Sequence, residues 1–357
     1  MNLEIKRSIF LAQLGRVANA ITRDYPAIKL TASPEELVIE AANSNHSIKA
    51  NISSVFVKVP GQAIVDGKLF YEIIKRLDKD ELLVETIDTK LKIKSGKSNF
   101  ELRILDDNKF DIKEKVYSVN FPLETQKLVK IIKNTSFACS TQQTRMILSG
   151  VCLESRDNKL YAYGTDSFRL AKDYLSKGND KNIKIVIPKE SLEDLVKIAH
   201  GSNVDMYLSS THAKFDFDSC TFETRLLDGT YPDIEKIINM NHTITKYIDK
   251  NQLFSSLERV AVLIDPNATN VVMLDFGSDN ITISVPDNQN GAAYETIEYS
   301  EKTSGEIKIA CSYKYLLDAL KTFEADTVRV NLIAPTSPIT LTTEKDTVLQ
   351  LVLPVKY

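Results

Sequence analysis

The 357-residue chain carries 45 lysines and arginines against 48 aspartates and glutamates, a net charge of −3, with 43% hydrophobic residues. That length accommodates two or three domains, each burying its own core, and so balanced a charge excludes a protein held on nucleic acid by bulk charge; any basic surface has to be local. No stretch approaches the ~18 apolar residues of a membrane span, and Glu4, Lys6, Arg7, Gln13 and Arg16 interrupt the apolar run a secretory leader needs, so a cytosolic protein is expected.

From the N-terminus, Leu3 and Ile5 mark a short strand, and Phe10, Leu14, Val17 and Ile21 fall on one helix face. Strands are predicted at 37–41, 47–52 and 56–59. Residues 66–86 form a helix–strand unit whose helix buries Phe70, Ile73, Ile74 and Leu77, and a hairpin of 91–95 and 99–104 turns at Gly96-Lys97. The polar run 106–115 reads as loop and linker. A second start at Val119 leads into a helix with Leu128, Ile131, Ile132 and Thr135 in one stripe, then strands at 148–154 and 159–164.

A second helix–strand unit covers 187–210. Pro188 suits its first helical turn, where the missing N–H would be unpaired anyway. Leu192, Leu195, Val196 and Ala199 supply the apolar face, and Gly201-Ser202-Asn203 stops the helix. Strands at 213–217 and 221–227 and a linker near 239–245 follow. The third start places Leu253, Leu257, Val260 and Ile264 in a helix stripe, with strands at 271–276, 280–285 and 295–299. A third helix–strand unit at 311–334 buries Leu316, Ala319, Leu320 and Phe323, and strands at 339–342 and 347–352 close the chain.

The leading stripe residues of the three units, Phe70, Leu192 and Leu316, lie 122 and 124 residues apart, which is a threefold internal repeat. The repeats predict three domains, 1–118, 119–243 and 244–357, each with two helices on mostly antiparallel strands, an α+β architecture. Quasi-equivalent domains joined head to tail can close into a ring.

A helix that buries one stripe turns its opposite face elsewhere. Five positions beyond the leading stripe residue stand Lys75, Lys197 and Lys321, nearly opposite the apolar side at 100° per residue. In the first helices, aligning Leu14, Ile131 and Leu257 brings Arg16, Lys133 and Arg259 to one position, with Lys127, Lys130 and Gln142 nearby. One reading of this recurrence is an ordinary solvated face. The other is a continuous surface that meets phosphates without reading bases, since no aromatic residues or base-reading Asn/Gln rows accompany the cations.

No catalytic constellation is legible. His46, His200, His212 and His242 show no metal-ligand spacing, and Cys139, Cys152, Cys220 and Cys311 form no CxxC pair and read as small buried hydrophobes in a reducing compartment. There is no GxG for a dinucleotide, no GxSxG, and the run 61–68 misses a P-loop by one residue, with Leu69 where Ser or Thr is required. No cofactor, metal or catalytic residue is expected. A scaffold, or an enzyme whose carboxylates are assembled only by folding, is the alternative that residue patterns leave open.

The run Thr165-Asp166-Ser167-Phe168-Arg169-Leu170-Ala171, preceded by Arg145-Met146-Ile147-Leu148-Ser149-Gly150-Val151, closely resembles the bacterial sliding clamp family, the beta subunits of DNA polymerase III. Arg225-Leu226-Leu227-Asp228-Gly229-Thr230-Tyr231-Pro232-Asp233, Ser312-Tyr313-Lys314-Tyr315-Leu316 and the terminal Leu351-Val352-Leu353-Pro354-Val355-Lys356-Tyr357 agree in family order, while the first repeat matches mainly in pattern.

The resemblance implies a head-to-tail homodimer closed into a ring of six domains, with helices lining a hole that double-stranded DNA threads. It implies a non-catalytic processivity factor that tethers the replicative polymerase, the clamp loader and repair proteins through short linear peptides, with no membrane partner. The implied DNA-facing residues are Arg16, Lys75, Lys133, Gln142, Lys197, Arg259 and Lys321. The implied peptide pocket, between the second and third domains, is walled by Leu148, Thr165, Phe168, Arg169, Leu170, Pro232, Ile237, Tyr315, Val352, Pro354 and Val355. The implied dimer contact sets the edge 97–102, with Lys97, Phe100 and Leu102, against Val262, Leu263, Glu295 and Glu298 of the other subunit. Phe168, at a variable place in the motif, and the Tyr357 ending depart from the family pattern.

Overall fold

The computed structural model describes residues 1–106, 115–176, 182–264, 270–301 and 303–356. Most of the predicted linker 106–115 and the terminal Tyr357 lie outside them. Among the described residues there are seven α-helices: α1 Arg7–Val17, α2 Gly67–Arg76, α3 Thr125–Ser136, α4 Lys189–Ile198, α5 Ile234–Ile238, α6 Lys250–Ala261 and α7 Tyr313–Leu320. None is long and apolar enough to cross a membrane. The chain divides into two compact units, Met1–Val129 with Ile187–Leu227 and Lys130–Val186 with Asp228–Tyr357. Each unit therefore takes part of the middle repeat.

The first unit holds two antiparallel sheets. One runs Val55–Val59, Asn2–Lys6, Glu81–Ile87, Lys90–Ser95, Ser98–Arg103. The other has eight strands: Val119–Glu124, Asn203–Leu208, His212–Phe217, Cys220–Arg225, His46–Ile52, Leu37–Ala42, Ala27–Ala32 and Gly61–Asp66. Its two halves belong to different repeats and meet at an ordinary ladder, with Cys220 opposite Ala50 and Phe222 opposite Ile48. Alternation fixes this register, because a one-residue slip would expose Phe222, Ile48 and Ala50 together.

The second unit repeats the arrangement. Its eight-stranded sheet runs Ile183–Pro188, Gly150–Arg156, Lys159–Thr165, Arg169–Leu175, Leu349–Val352, Ile339–Thr342, Thr327–Leu332, Ile244–Asp249. The repeats join where Leu170 faces Leu351 and Arg169 faces Val352. Its second sheet runs Gly291–Glu298, Asn280–Asn288, Val271–Phe276, Ile307–Ser312.

Helix stripes fill the space against these sheets. Phe10 of α1 meets Phe70 of α2 edge to face at 5.6 Å, and Leu253, Leu257 and Val260 of α6 share a core with Leu316, Ala319 and Leu320 of α7. Burying such side chains contributes roughly 1.5–3 kcal/mol apiece. Asp66, Asp249 and Ser312 cap α2, α6 and α7 by accepting from the N–H of Leu69, Gln252 and Tyr315. Gly164 is required where the strand Lys159–Thr165 meets α3, since a Cβ there would lie 2.1 Å from the Thr135 carbonyl oxygen.

Several sequence expectations are corrected. Pro188 is not in the first turn of α4 but precedes it in extended backbone, with ψ of 134°, and closes a strand. α4 buries Leu192, Leu195 and Ile198, leaving Val196 and Ala199 only half-buried. The predicted strand at 148–154 begins at Gly150, because 143–149 form a 3-10 segment that includes Leu148. Strands Ala27–Ala32, Gly61–Asp66, Arg169–Leu175 and Ile244–Asp249, and the short helix α5, were not anticipated.

Candidate functional site

The residues of the predicted peptide pocket all fall in the second unit, and a single arginine organises the centre of the group. Asp166 Oδ1 accepts from the backbone N–H of Phe168 and of Arg169, at 2.9 and 3.0 Å, while Ser167 takes the left-handed conformation with φ of 78°. This is an Asx-type turn, which a short acidic side chain favours. It holds Phe168 out, 57% exposed, while Leu170 turns inward at 3%. The Thr165 hydroxyl donates to the Arg169 carbonyl at 2.7 Å and closes the turn.

The Arg169 guanidinium then spans three elements. It donates to Asp166 Oδ2 at 3.0 Å, to Asp318 Oδ2 of α7 at 2.9 Å and to the Phe137 carbonyl at 2.8 Å, and lies 4.4 Å from the centre of the Tyr315 ring. A planar fork with fixed donor directions suits this work as an ammonium does not. Burial pushes the Tyr315 phenol up, so it stays neutral beside Asp166. The C-terminal segment completes the group. Leu353 N–H donates to the Phe168 carbonyl at 2.9 Å, Val355 N–H donates to the Ala310 carbonyl at 2.8 Å, and Pro354 bridges Cys311. Val352 is buried, and Pro354 and Val355 are half-buried.

Three candidates stand on other segments of this unit. Leu148 is buried on the 3-10 segment, Pro232 is half-buried, and Ile237 of α5 is 42% exposed. The loop before Pro232 approaches the Leu148 segment, because a Cβ on Gly229 would sit 3.6 Å from Ile147. Met146, beside them in sequence, is 66% exposed. Leu148, Met146, Phe168, Pro232, Ile237, Pro354 and Val355 are apolar, the side-chain type that grooves for hydrophobic peptide anchors use.

The predicted cations divide between the units. Arg16 of α1, Lys75 of α2 and Lys197 of α4 are in the first, and Lys133, Gln142, Arg259 and Lys321 in the second. All are exposed except Arg16, which is half-buried and donates to Gln13 Oε1 at 2.8 Å and to Ser219 Oγ at 3.5 Å. Lys197 pairs with Asp194 at 2.7 Å, and Lys321 lies 3.6 Å from Asp318. Lys130 pairs with Glu324 at 2.9 Å and Lys127 with Glu124 at 2.7 Å.

The predicted contact segments are both sheet edges. Ser98–Arg103 ends the five-stranded sheet, with Lys97 exposed in the turn before it, Phe100 39% exposed and Leu102 half-buried. Gly291–Glu298 ends the four-stranded sheet, with Glu298 exposed, and after α6 Val262 is 79% exposed and Leu263 half-buried. Glu295 accepts both Arg259 donors, Nε at 2.8 Å and Nη2 at 2.9 Å, which holds its carboxyl below the usual range. The pairing joins a predicted DNA-facing residue to a predicted contact residue within one chain.

Sequence reading missed Asp166 and Asp318 as partners of Arg169, and Tyr294, 72% exposed on the edge strand. Asp166 carried a local signal, an acidic residue at a turn. Asp318 carried none, being 149 positions away. No group of His, Cys, Asp and Glu that could hold a metal occurs among the described residues.

Three family profiles, described as the N-terminal, central and C-terminal domains of the DNA polymerase III beta subunit, match residues 1–113, 122–233 and 235–356. The beta sliding clamp of Staphylococcus aureus is 30% identical over 374 residues, covering 100% of this chain and 99% of that protein. Among solved structures, the DNA polymerase sliding clamp of Bacillus subtilis superimposes with a TM-score of 0.95 at 28% identity, covering 100% of this chain and 99% of the other. The DNA polymerase III beta chain of Streptococcus pneumoniae gives 0.95 at 26%, covering all of both chains.

Proposed function

Because the chain belongs to the family of DNA polymerase III beta subunits, the sliding clamps and processivity factors of that polymerase, we propose that two copies close head to tail around duplex DNA in the cytosol. The ring slides without reading sequence and is itself non-catalytic. The observation that carries the reading is the full-length likeness, with three domain profiles matched in order along one chain. It also supports three repeats in number and a first boundary near 118, whereas the second and third profiles meet near 234 rather than 243.

The mechanism is topological. An encircled duplex cannot leave by diffusion, so each phosphate contact can stay weak, which sliding requires. Exposed Lys75, Lys133, Lys197, Arg259 and Lys321, with Arg16 and Gln142, supply such contacts. Ring closure pairs the edge Ser98–Arg103 with the partner subunit's counterpart of Gly291–Glu298, where backbone hydrogen bonds and the burial of Phe100, Leu102, Val262 and Leu263 supply affinity. Lys97 against Glu295 and Glu298 supplies register. The cluster around Phe168, Arg169 and Tyr315 takes the peptide tails of polymerase, clamp loader and repair proteins.

The test is retention on nicked circular DNA after loading by a clamp loader. The protein should stay on the circle through a gel-filtration column and leave when a restriction enzyme linearises it. Retention on the linear product would show that binding is not topological.

A further inference from the structure

The segment between Gly229 and Asn239 carries Pro232 and Ile237, yet little of it can hold itself in place. α5 has five residues, too few to persist alone, and Asp233 before it provides no side-chain cap. Its charged anchor is Glu235. Its Oε1 accepts from Tyr163 Oη at 3.0 Å, Lys172 Nζ at 2.9 Å and Arg156 Nη2 at 3.0 Å.

These donors come from three adjacent strands and lie on one sheet face. Cys152 faces Tyr163 and Tyr163 faces Lys172 across the ladders, and Arg156 and Lys172 both lean on the Tyr161 ring, at 4.9 and 5.0 Å. Tyr231 adds a bond from its hydroxyl to the Tyr163 carbonyl at 3.2 Å, and Ile234 is 3% exposed. Burial opposes ionisation of Glu235, but Lys172, Arg156 and the Tyr163 hydroxyl outweigh it and keep the carboxyl below its ordinary range.

We propose that Glu235 is a positioning residue for peptide binding: held by Tyr163, Lys172 and Arg156, it locks α5 against the sheet so that Ile237 is presented as a preformed wall. Positions 235 and 237 are about 200° apart on a helix, so fixing one against the strands turns the other outward, in agreement with the exposure of Ile237. A preformed wall spares the ordering cost on binding. The inference rests on the peptide-pocket reading above.

The experiment uses the full-length protein and a fluorescein-labelled synthetic peptide copying the C-terminal tail of the replicative polymerase from the same organism. Fluorescence anisotropy gives affinity for wild type, Glu235→Ala, Glu235→Gln, Ile237→Ala and Glu235→Ala/Ile237→Ala, and amide exchange over 234–238 is followed without peptide. Glu235→Ala should weaken binding by about tenfold or more, Glu235→Gln, which keeps an acceptor, by less, and exchange over 234–238 should accelerate in both. In the Ile237→Ala background the second substitution should change affinity by less than about twofold. Unchanged exchange, or effects that add across the cycle, would overturn the positioning role while leaving the pocket intact. Wild-type protein that ignores the peptide would overturn the pocket reading and the proposal with it, whereas unchanged exchange alone would condemn only the latter.

Discussion

Replacing Arg169 with alanine removes at once the bonds to Asp166, Asp318 and the Phe137 carbonyl and the stacking on the Tyr315 ring. The Arg169 and Asp166 side chains are each 14% exposed, so the alanine variant leaves a carboxylate mostly out of water with no cation beside it. Removing one partner of such a pair costs about 3–5 kcal/mol. Asp318 is 38% exposed and rehydrates, so its bond to Arg169 adds little. The lower figure corresponds to exchange about 100-fold faster for amides that open when the Arg169 contacts are lost. Hydrogen exchange over Arg169–Leu175 reads this locally, separately from the overall unfolding midpoint. Arg169→Lys keeps the charge but cannot span three acceptors, and should recover less than half of the missing protection. Protection within threefold of wild type in the alanine variant would refute the idea that this guanidinium holds the elements together.

Gly164→Ala should destabilise the second unit by about 1–3 kcal/mol or more, since the added Cβ meets the Thr135 carbonyl at 2.1 Å; a urea midpoint equal to wild type would contradict the close packing. Burial lowers the pKa of His46 from its ordinary 6.5, with Asp194 pulling the other way. The unfolded chain therefore binds more protons there, and stability present above about pH 6.5 is lost as pH falls. His46→Gln should flatten the change in urea midpoint between about pH 7.5 and about pH 5.5, and an unaltered slope would assign that dependence to other groups. Charge reversal at Lys75, Lys197 and Lys321 together should shorten retention on circular DNA and lower the log–log salt slope by about 0.9 for each phosphate that is no longer neutralised; identical retention would make those lysines ordinary surface.

The helix faces were legible because burial imposes a short-range period: Leu316, Ala319 and Leu320 of α7 are all buried as their spacing demanded, and Phe323 is buried just past the helix end. Where the period was ambiguous the reading slipped, taking Val196 and Ala199 for a face that Ile198 occupies. Strand Ile244–Asp249 hid because its inward position 246 is a lysine, wholly buried and satisfied by the Gly277 and Thr303 carbonyls. No alternation rule anticipates a cation facing inward. The members of the candidate site were visible mainly through resemblance, and its internal wiring was not. Arg169 reaches Asp318, and Glu235 reaches Arg156, Tyr163 and Lys172, across separations that local patterns do not encode.

The ladders that carry one repeat into the next decide where such an assembly can yield. Swivelling the first repeat on the second would unzip Cys220–Arg225 from His46–Ile52, and the next boundary is sewn in the same way by Arg169–Leu175 and Leu349–Val352. Both repeat boundaries inside the chain are therefore built as continuous sheet rather than as hinges. If the two edge strands form the contact between subunits as proposed, changes at exposed Phe100 or Tyr294 should alter dwell time on DNA more strongly than changes at either ladder.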